Sequence, residues 1–264
     1  MKLGFIGTGN MASAIMGGII KKGLISANEI IGADLLEQGR ERVKKEFDIC
    51  ITADNNEVVE KADVIILSVK PQFYEEVICE IRDFIRADQI VITIAPGKTL
   101  AWILEKFGKD VKVVRTMPNT PALVGAGMTA MCPNEFMTEE EIAYVRTLLE
   151  SFGRVEIVPE RLMDTVVSTS GSSPAYVFMM IEAMADAAVS GGMPRAQAYQ
   201  FAAQAVMGSA KMVLETGKHP GELKDMVCSP GGTTIEAVRT LEEYGFRSAV
   251  IEAMKVCEEK SKGM

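Results

Sequence analysis

The chain has 264 residues, 48% hydrophobic and 24% charged, with a formal net charge of −8. That mix suits one or two folded globular domains, and the acidic balance with no lysine or arginine run argues against a nucleic-acid partner. Five scattered cysteines (Cys50, Cys79, Cys132, Cys228 and Cys257) and a single histidine, His219, argue against a zinc ribbon, a disulfide framework and most histidine chemistry.

Apolar strand residues begin at residue 2, so no signal peptide is expected. The longest apolar stretch, 175–193, is interrupted by Glu182 and Asp186, so no membrane span is expected either. A cytoplasmic protein that borrows its chemistry from a cofactor fits these features best.

In chain order, strands are expected at 2–6, 29–33, 64–68, 89–94 and 111–115. Each is too uniformly apolar to be half-exposed, as buried parallel strands are. Between them, segments such as 11–22, 36–47 and 72–84 carry helical spacing and charged faces. This alternation predicts right-handed βαβ units and an α/β, doubly wound, mostly parallel sheet. Thr138 and Glu141 form a capping-box pair that should start a helix running to about Ser151, before a last edge strand at 154–158.

After Pro159 no strand is evident, so the expected domains are 1–159 and an all-helical 160–264. Pro174 and Pro194 suit first helical turns, and Gly191-Gly192 a stop between two helices at 175–190 and 195–215. Those two helices are rich in Ala and Met on all sides. About 100 residues of their own domain cannot cover both, which predicts packing against a second subunit. A methionine-rich monomer core is the rival explanation.

The segment Gly7-Thr8-Gly9-Asn10-Met11-Ala12 is a G-x-G-x-x-A sequence directly after the first strand and opening a helix. Gly7 permits the tight turn, Gly9 lets a pyrophosphate approach the backbone, and Ala12 is small enough for helix–strand packing. The anion would rest on unpaired N–H groups at the helix start. Asp34 ends the second strand at the expected distance. Its carboxylate could accept hydrogen bonds from adenosine ribose hydroxyls, favouring NADH, or simply cap a helix beginning at Leu35. Arg40 and Arg42 stand close enough in sequence to serve a 2′-phosphate, so NADPH and NADH both remain open.

Three further segments fall after later strands: Ser68-Val69-Lys70-Pro71, Ala95-Pro96-Gly97, and Met117-Pro118-Asn119-Thr120-Pro121. The carboxyl ends of parallel strands are where open α/β sheets bind ligands. The first and third combine small or proline residues with a polar group and the second is small residues and proline alone, as loops beside a flat cofactor should be. Any one of them alone could be no more than a turn.

The most distinctive stretch is 220–241. It reads as a short helix, a Pro-Gly-Gly turn, and a new helix beginning near Thr233. Gly231 and Gly232 followed by Thr233 and Thr234 would cradle an anion with backbone N–H groups and hydroxyls. No lysine or arginine stands in the turn, so a carboxylate suits it better than a phosphate. A capped helix after a tight turn is the plainer alternative.

These motifs together resemble the pyrroline-5-carboxylate reductase family along essentially the whole chain. The resemblance is carried by G-x-G-x-x-A at Gly7, S-V-K-P at Ser68, M-P-N-T-P at Met117, S-G-S-S-P-A-Y at Ser170 and S-P-G-G-T-T at Ser229. It implies a Rossmann domain followed by an all-α dimerisation domain, hydride transfer from NADPH or NADH to a C=N bond, and L-proline as product. A homodimer is implied, with larger assemblies such as decamers common in the family. Gly7, Thr8, Gly9, Asn10 and Met11 would lie at the pyrophosphate and Asn55 near the adenosine ribose. Ser68 to Pro71 (with Val69 and Lys70), Ala95, Pro96, Gly97 and Asn119 would line the cofactor. Glu160 and Gly231 to Thr234 would meet the substrate. Pro96 and Met226 depart from the pattern, standing where some relatives have alanine and asparagine.

The chemistry implied suits a chain with one histidine, because a protonated cyclic imine accepts hydride readily and needs mainly orientation and electrostatics. Thr234 is expected to hydrogen-bond the ring nitrogen and help a proton reach it. His219 lacks an evident base partner and is expected to be structural. A β-hydroxyacid dehydrogenase would want a lysine in the helix at 174–190, which has none. A non-catalytic dinucleotide-binding regulator would be expected to carry a degraded substrate loop, whereas S-P-G-G-T-T is intact.

Overall fold

The computed structural model describes residues 2–263. In chain order the first half holds β1 (Leu3–Ile6), α1 (Asn10–Lys21), β2 (Ile30–Ala33), α2 (Glu37–Phe47), β3 (Cys50–Thr52), α3 (Asn55–Lys61) and β4 (Val64–Leu67). Next come α4 (Tyr74–Ile81), β5 (Ile90–Thr93), α5 (Leu100–Phe107), β6 (Lys112–Met117), β7 (Gly127–Pro133), α6 (Glu139–Leu149) and β8 (Gly153–Ile157). The rest is helical: α7 (Met163–Val166), α8 (Ser173–Ser190), α9 (Arg195–Thr216), α10 (Pro220–Val227), α11 (Thr233–Glu243) and α12 (Phe246–Lys262).

The eight strands form one sheet in the order β3-β2-β1-β4-β5-β6-β7-β8. All pairs are parallel except β6 with β7, which run antiparallel with Arg115 opposite Cys132. The central strands β1, β2, β4 and β5 are buried along their whole length, as their uninterrupted apolar runs require. Alternate strand residues feed two cores. Phe5, Ile66 and Ile92 face α1 and α6 on one side, while Ile65, Leu67 and Val91 face α3, α4 and α5 on the other. Each large apolar side chain buried in this way contributes about 1.5–3 kcal/mol.

Strand β8 lies at the sheet edge, and the capping box of Thr138 and Glu141 opens α6, both as the sequence suggests. Two strands were not anticipated. The first, β3, has only three residues. The other, β7 (Gly-Met-Thr-Ala-Met-Cys-Pro), has one β-branched residue and turn formers at both ends, yet it is held by two neighbours.

The chain divides into two compact units, one ending at Ser172 and taking in the chain again from Cys257, the other Ser173–Val256. In the first, the end of α12 is held by Ser261, whose hydroxyl donates to Asp164 Oδ1 at 2.7 Å. In the second, α8 and α9 pack along one another, and only Ala185, Ala198 and Ala202 are buried. Pro194 caps α9 rather than standing in its first turn, and Gly192 takes a positive φ of 95° after α8. Among the described residues, no helix is long and apolar enough to cross a membrane, and no group of three or more His, Cys, Asp or Glu side chains could hold a metal ion.

Candidate functional site

The turn between β1 and α1 explains its own sequence. Gly7 has φ +92°, and a Cβ there would lie 2.8 Å from the Ser68 carbonyl atoms and 2.9 Å from the Val69 nitrogen. Any larger residue would push the end of β4 away. Ser68 closes this contact, its hydroxyl donating to the Gly7 carbonyl at 2.7 Å and its N–H to the Ile6 carbonyl at 2.8 Å.

Gly9 is the N-cap of α1 and no side chain caps the helix. A Cβ at Gly9 would meet nothing within 4 Å, so open space adjoins the first-turn N–H groups of Asn10, Met11 and Ala12. An uncapped helix start beside open space carries the positive end of the helix dipole and suits a diphosphate. The residues therefore fit a dinucleotide.

Asp34 is turned towards this turn. Its Oδ2 accepts from both the N–H and the hydroxyl of Thr8, each at 2.8 Å, and its Oδ1 accepts from Leu36 N–H at 3.0 Å. It does not cap a helix at Leu35, because α2 begins at Glu37. Arg40 reaches back to the Asp34 carbonyl at 2.6 Å, and Arg42 donates to the Thr8 carbonyl. Two guanidinium groups thus flank the end of β2, where an adenosine ribose is bound in folds of this kind.

At the ends of β4 and β5 a side chain missed from sequence links the two expected loops. The fully buried Tyr74 donates its hydroxyl to the Leu67 carbonyl at 2.5 Å and accepts from Ile94 N–H at 3.2 Å. Burial, only partly offset by backbone N–H donors, pushes its hydroxyl well above the usual tyrosine range. Lys70 precedes a short turn of helix with Pro71 in its first position. Ala95 is buried, Pro96 is half-buried, and Gly97 takes φ +75°.

Asn55, in the first turn of α3, is buried and donates to Glu80 Oε2 at 2.8 Å. Asn119 is also occupied, its Nδ2 donating to the Ser170 carbonyl at 3.0 Å while its Oδ1 accepts from Met128 N–H at 2.9 Å. Glu160, expected at the substrate pocket, has its Oε1 shared between Arg115 Nη1 at 2.9 Å and Leu100 N–H at 2.7 Å. Sequence reading did not single out Arg115, whose side chain is 5% exposed.

Gly231, Gly232, Thr233 and Thr234 lie in the second unit. Gly232 N–H donates to the Ser229 carbonyl at 3.0 Å, and Gly231 between them has φ +67°, so Pro230-Gly231 forms the centre of a tight turn. Gly232 is the N-cap of the 11-residue α11, and no side chain caps that helix. Its first N–H groups, with the hydroxyls of Thr233 and Thr234, form a donor set that suits a carboxylate. His219 caps α10, its Nδ1 accepting from Gly221 N–H at 3.1 Å, which is a structural task.

A doubly wound sheet with a glycine-rich turn and an open helix start at the end of β1 defines a dinucleotide-binding protein. Residues 2–97 match the family described as NADP oxidoreductase, coenzyme F420-dependent, and residues 160–264 match pyrroline-5-carboxylate reductase dimerisation. The chain is 55% identical over 260 residues to pyrroline-5-carboxylate reductase of Escherichia coli (strain K12), covering 98% of this chain and 97% of that one. The solved Plasmodium falciparum pyrroline carboxylate reductase with NADP bound superposes with a TM-score of 0.91 at 31% identity, covering 100% of this chain and 97% of that one. The Coxiella burnetii pyrroline-5-carboxylate reductase gives 0.90 at 33% identity, covering 99% and 97%. The chain belongs to the pyrroline-5-carboxylate reductase family.

Proposed function

We propose that the chain reduces the C=N bond of 1-pyrroline-5-carboxylate to L-proline with NADPH or NADH, the final step of proline synthesis. One observation carries this beyond family membership. Both helix starts expected to hold anions, α1 behind Gly9 and α11 behind Gly232, lack a capping side chain.

When bound, the nicotinamide supplies the hydride. Gly9, Asn10 and Met11 would hold its pyrophosphate through backbone N–H groups, with Gly7 and Thr8 forming the turn beneath it and Asp34 and Asn55 towards the adenosine end. Ser68, Val69, Lys70, Pro71, Ala95, Pro96, Gly97 and Asn119 would shape the remaining cofactor surface. On the substrate side, the turn at Gly231 and Gly232 brings the first N–H groups of α11, beginning at Thr233, to orient the carboxylate. The Thr234 hydroxyl hydrogen-bonds the ring nitrogen and helps a proton from solvent reach it, so that hydride at carbon and proton at nitrogen turn the imine into an amine. The family resemblance alone places Glu160 among these substrate contacts.

The division into a nucleotide-binding part, 1–159, and a substrate and dimerisation part, 160–264, belongs to the same proposal, as does a cytoplasmic location. A homodimer, with a decamer as a larger assembly of it, belongs to the proposal too, and the large apolar side chains left bare on α8 and α9 support the dimer contact. Met179 is 68% exposed and Phe201 61%.

Steady-state kinetics of Thr234→Ala test the mechanism. A fall in kcat of at least tenfold with unchanged NADPH binding is expected, and full activity would remove Thr234 from it.

A further inference from the structure

The loop Ala95-Pro96-Gly97 is tied down at both ends. Just before it, Ile94 N–H is held by the buried Tyr74 hydroxyl, which also holds the end of β4. Just after it, Thr99 caps α5 and the first N–H of that helix, on Leu100, is held by Glu160. Glu160 in turn is fixed by Arg115, which stands opposite Thr93 in the β5–β6 register, two residues before the loop begins.

The chemistry of this tie is specific. Arg115 interrupts a buried run, Val113-Val114-Arg115-Thr116, where an unpaired cation would be costly. Its pairing with a carboxylate that also sits at a helix N-terminus gives two charge-assisted hydrogen bonds to one oxygen. Glu160 Oε1 could not turn to a ligand without releasing both the guanidinium and the helix start.

We propose that Glu160, held by Arg115, is a positioning residue that sets where the loop 95–97 stands against the nicotinamide half of the cofactor, rather than a substrate contact. The inference rests on the functional proposal above, in which this loop borders the cofactor.

The test measures NADPH affinity by nucleotide fluorescence without substrate, and separately the KM for the imine and kcat, in Glu160→Leu, Glu160→Gln and Glu160→Asp. Glu160→Leu is expected to weaken NADPH binding at least fivefold and lower kcat at least tenfold, with the imine KM within twofold of the parent. Glu160→Gln retains an oxygen for Leu100 N–H and is expected to recover most of the lost affinity. A structural role alone would not divide the two ligands in this way. If Glu160→Leu does not fold, Glu160→Asp decides. Its shortened side chain keeps the charge but draws the oxygen away, and at least threefold weaker NADPH binding is expected. A raised imine KM with NADPH affinity unchanged would overturn the proposal in favour of substrate contact. Folded variants with unchanged NADPH affinity and kcat would overturn it outright. A parent protein that neither binds NADPH nor reduces the imine would instead fail the functional proposal itself, a result distinct from either.

Discussion

Thr8 gives both of its donors, the backbone N–H and the hydroxyl, to Asp34 Oδ2, each at 2.8 Å. The acidic residue at the end of β2 therefore braces the glycine-rich turn, and its Oδ1 is engaged by Leu36 N–H as well. The guanidinium groups of Arg40 and Arg42 lie against the same segment. Replacing Thr8 by valine keeps the shape and removes one charge-assisted bond, at a cost of about 1–2 kcal/mol. Thermal denaturation should show a lower Tm, and kcat/KM should fall for NADPH and NADH alike, because the turn rather than the ribose contact is disturbed. In the parent, kcat/KM is expected to favour NADPH, since the Asp34 carboxylate is engaged and two guanidiniums flank the site. A strong preference for NADH would restore the ribose-binding role of Asp34.

Tyr74→Phe removes the hydroxyl that serves both Leu67 and Ile94. Two buried backbone groups then lose a partner, at about 1–3 kcal/mol each. A Tm drop of several degrees is expected, since about 1 kcal/mol shifts a protein of this size by about 2–4 °C. Burial raises the hydroxyl's pKa in the folded protein. Its contribution is complete below the ordinary tyrosine pKa of about 10 and falls away as pH rises above it. In an alkaline absorbance titration the parent should show one tyrosine that ionises only on unfolding, and Tyr74→Phe should lack it.

Lys112 Nζ donates to Glu141 Oε1 at 2.5 Å, and Thr138 N–H donates to Glu141 Oε2 at 3.0 Å. Burial alone would raise this carboxyl, but Lys112 and the Thr138 backbone outweigh it and hold it below the usual range. The lowered pKa means the stabilisation is present above the unfolded value near 4.3 and is lost as pH falls through the folded value. Glu141→Gln should be less stable than the parent by about 1 kcal/mol at pH 7. In denaturant melts across pH, the difference should narrow as pH falls below the ordinary glutamate value and close once the folded carboxyl is protonated.

The bare apolar faces of α8 and α9 predict that the parent sediments at twice the chain mass or a multiple of it. Phe201→Asp places a charge on that face, where Phe201 is 61% exposed in the single chain. Sedimentation velocity at micromolar concentration should show a shift towards monomer. A parent that sediments as a monomer would leave those side chains without an explanation in assembly.

Much of the fold could be read from the chain because its central strands are buried on both faces and therefore announce themselves as uniform apolar runs. The motif at Gly7 and the turn at Ser229 were legible for a related reason. Each depends on a residue type with a local conformational task, such as the positive φ of Gly7 and Gly231. Strand β7 was not legible, since its seven residues owe their state to β6 and β8 rather than to their own propensity. The Arg115–Glu160 tie was hidden in another way. An arginine within an apolar run looks like an interruption until its partner, 45 residues further on, is placed beside it. For Asp34, the strand pattern places the carboxylate at the end of β2 but does not show that Thr8, 26 residues earlier, takes it up.

Hydride transfer to a cyclic imine is read out by mixing the purified protein with NADPH and 1-pyrroline-5-carboxylate. Loss of the reduced-nicotinamide absorbance is expected, with one proline formed for each NADPH oxidised. Stable absorbance and no proline, from folded protein that binds NADPH, would contradict it.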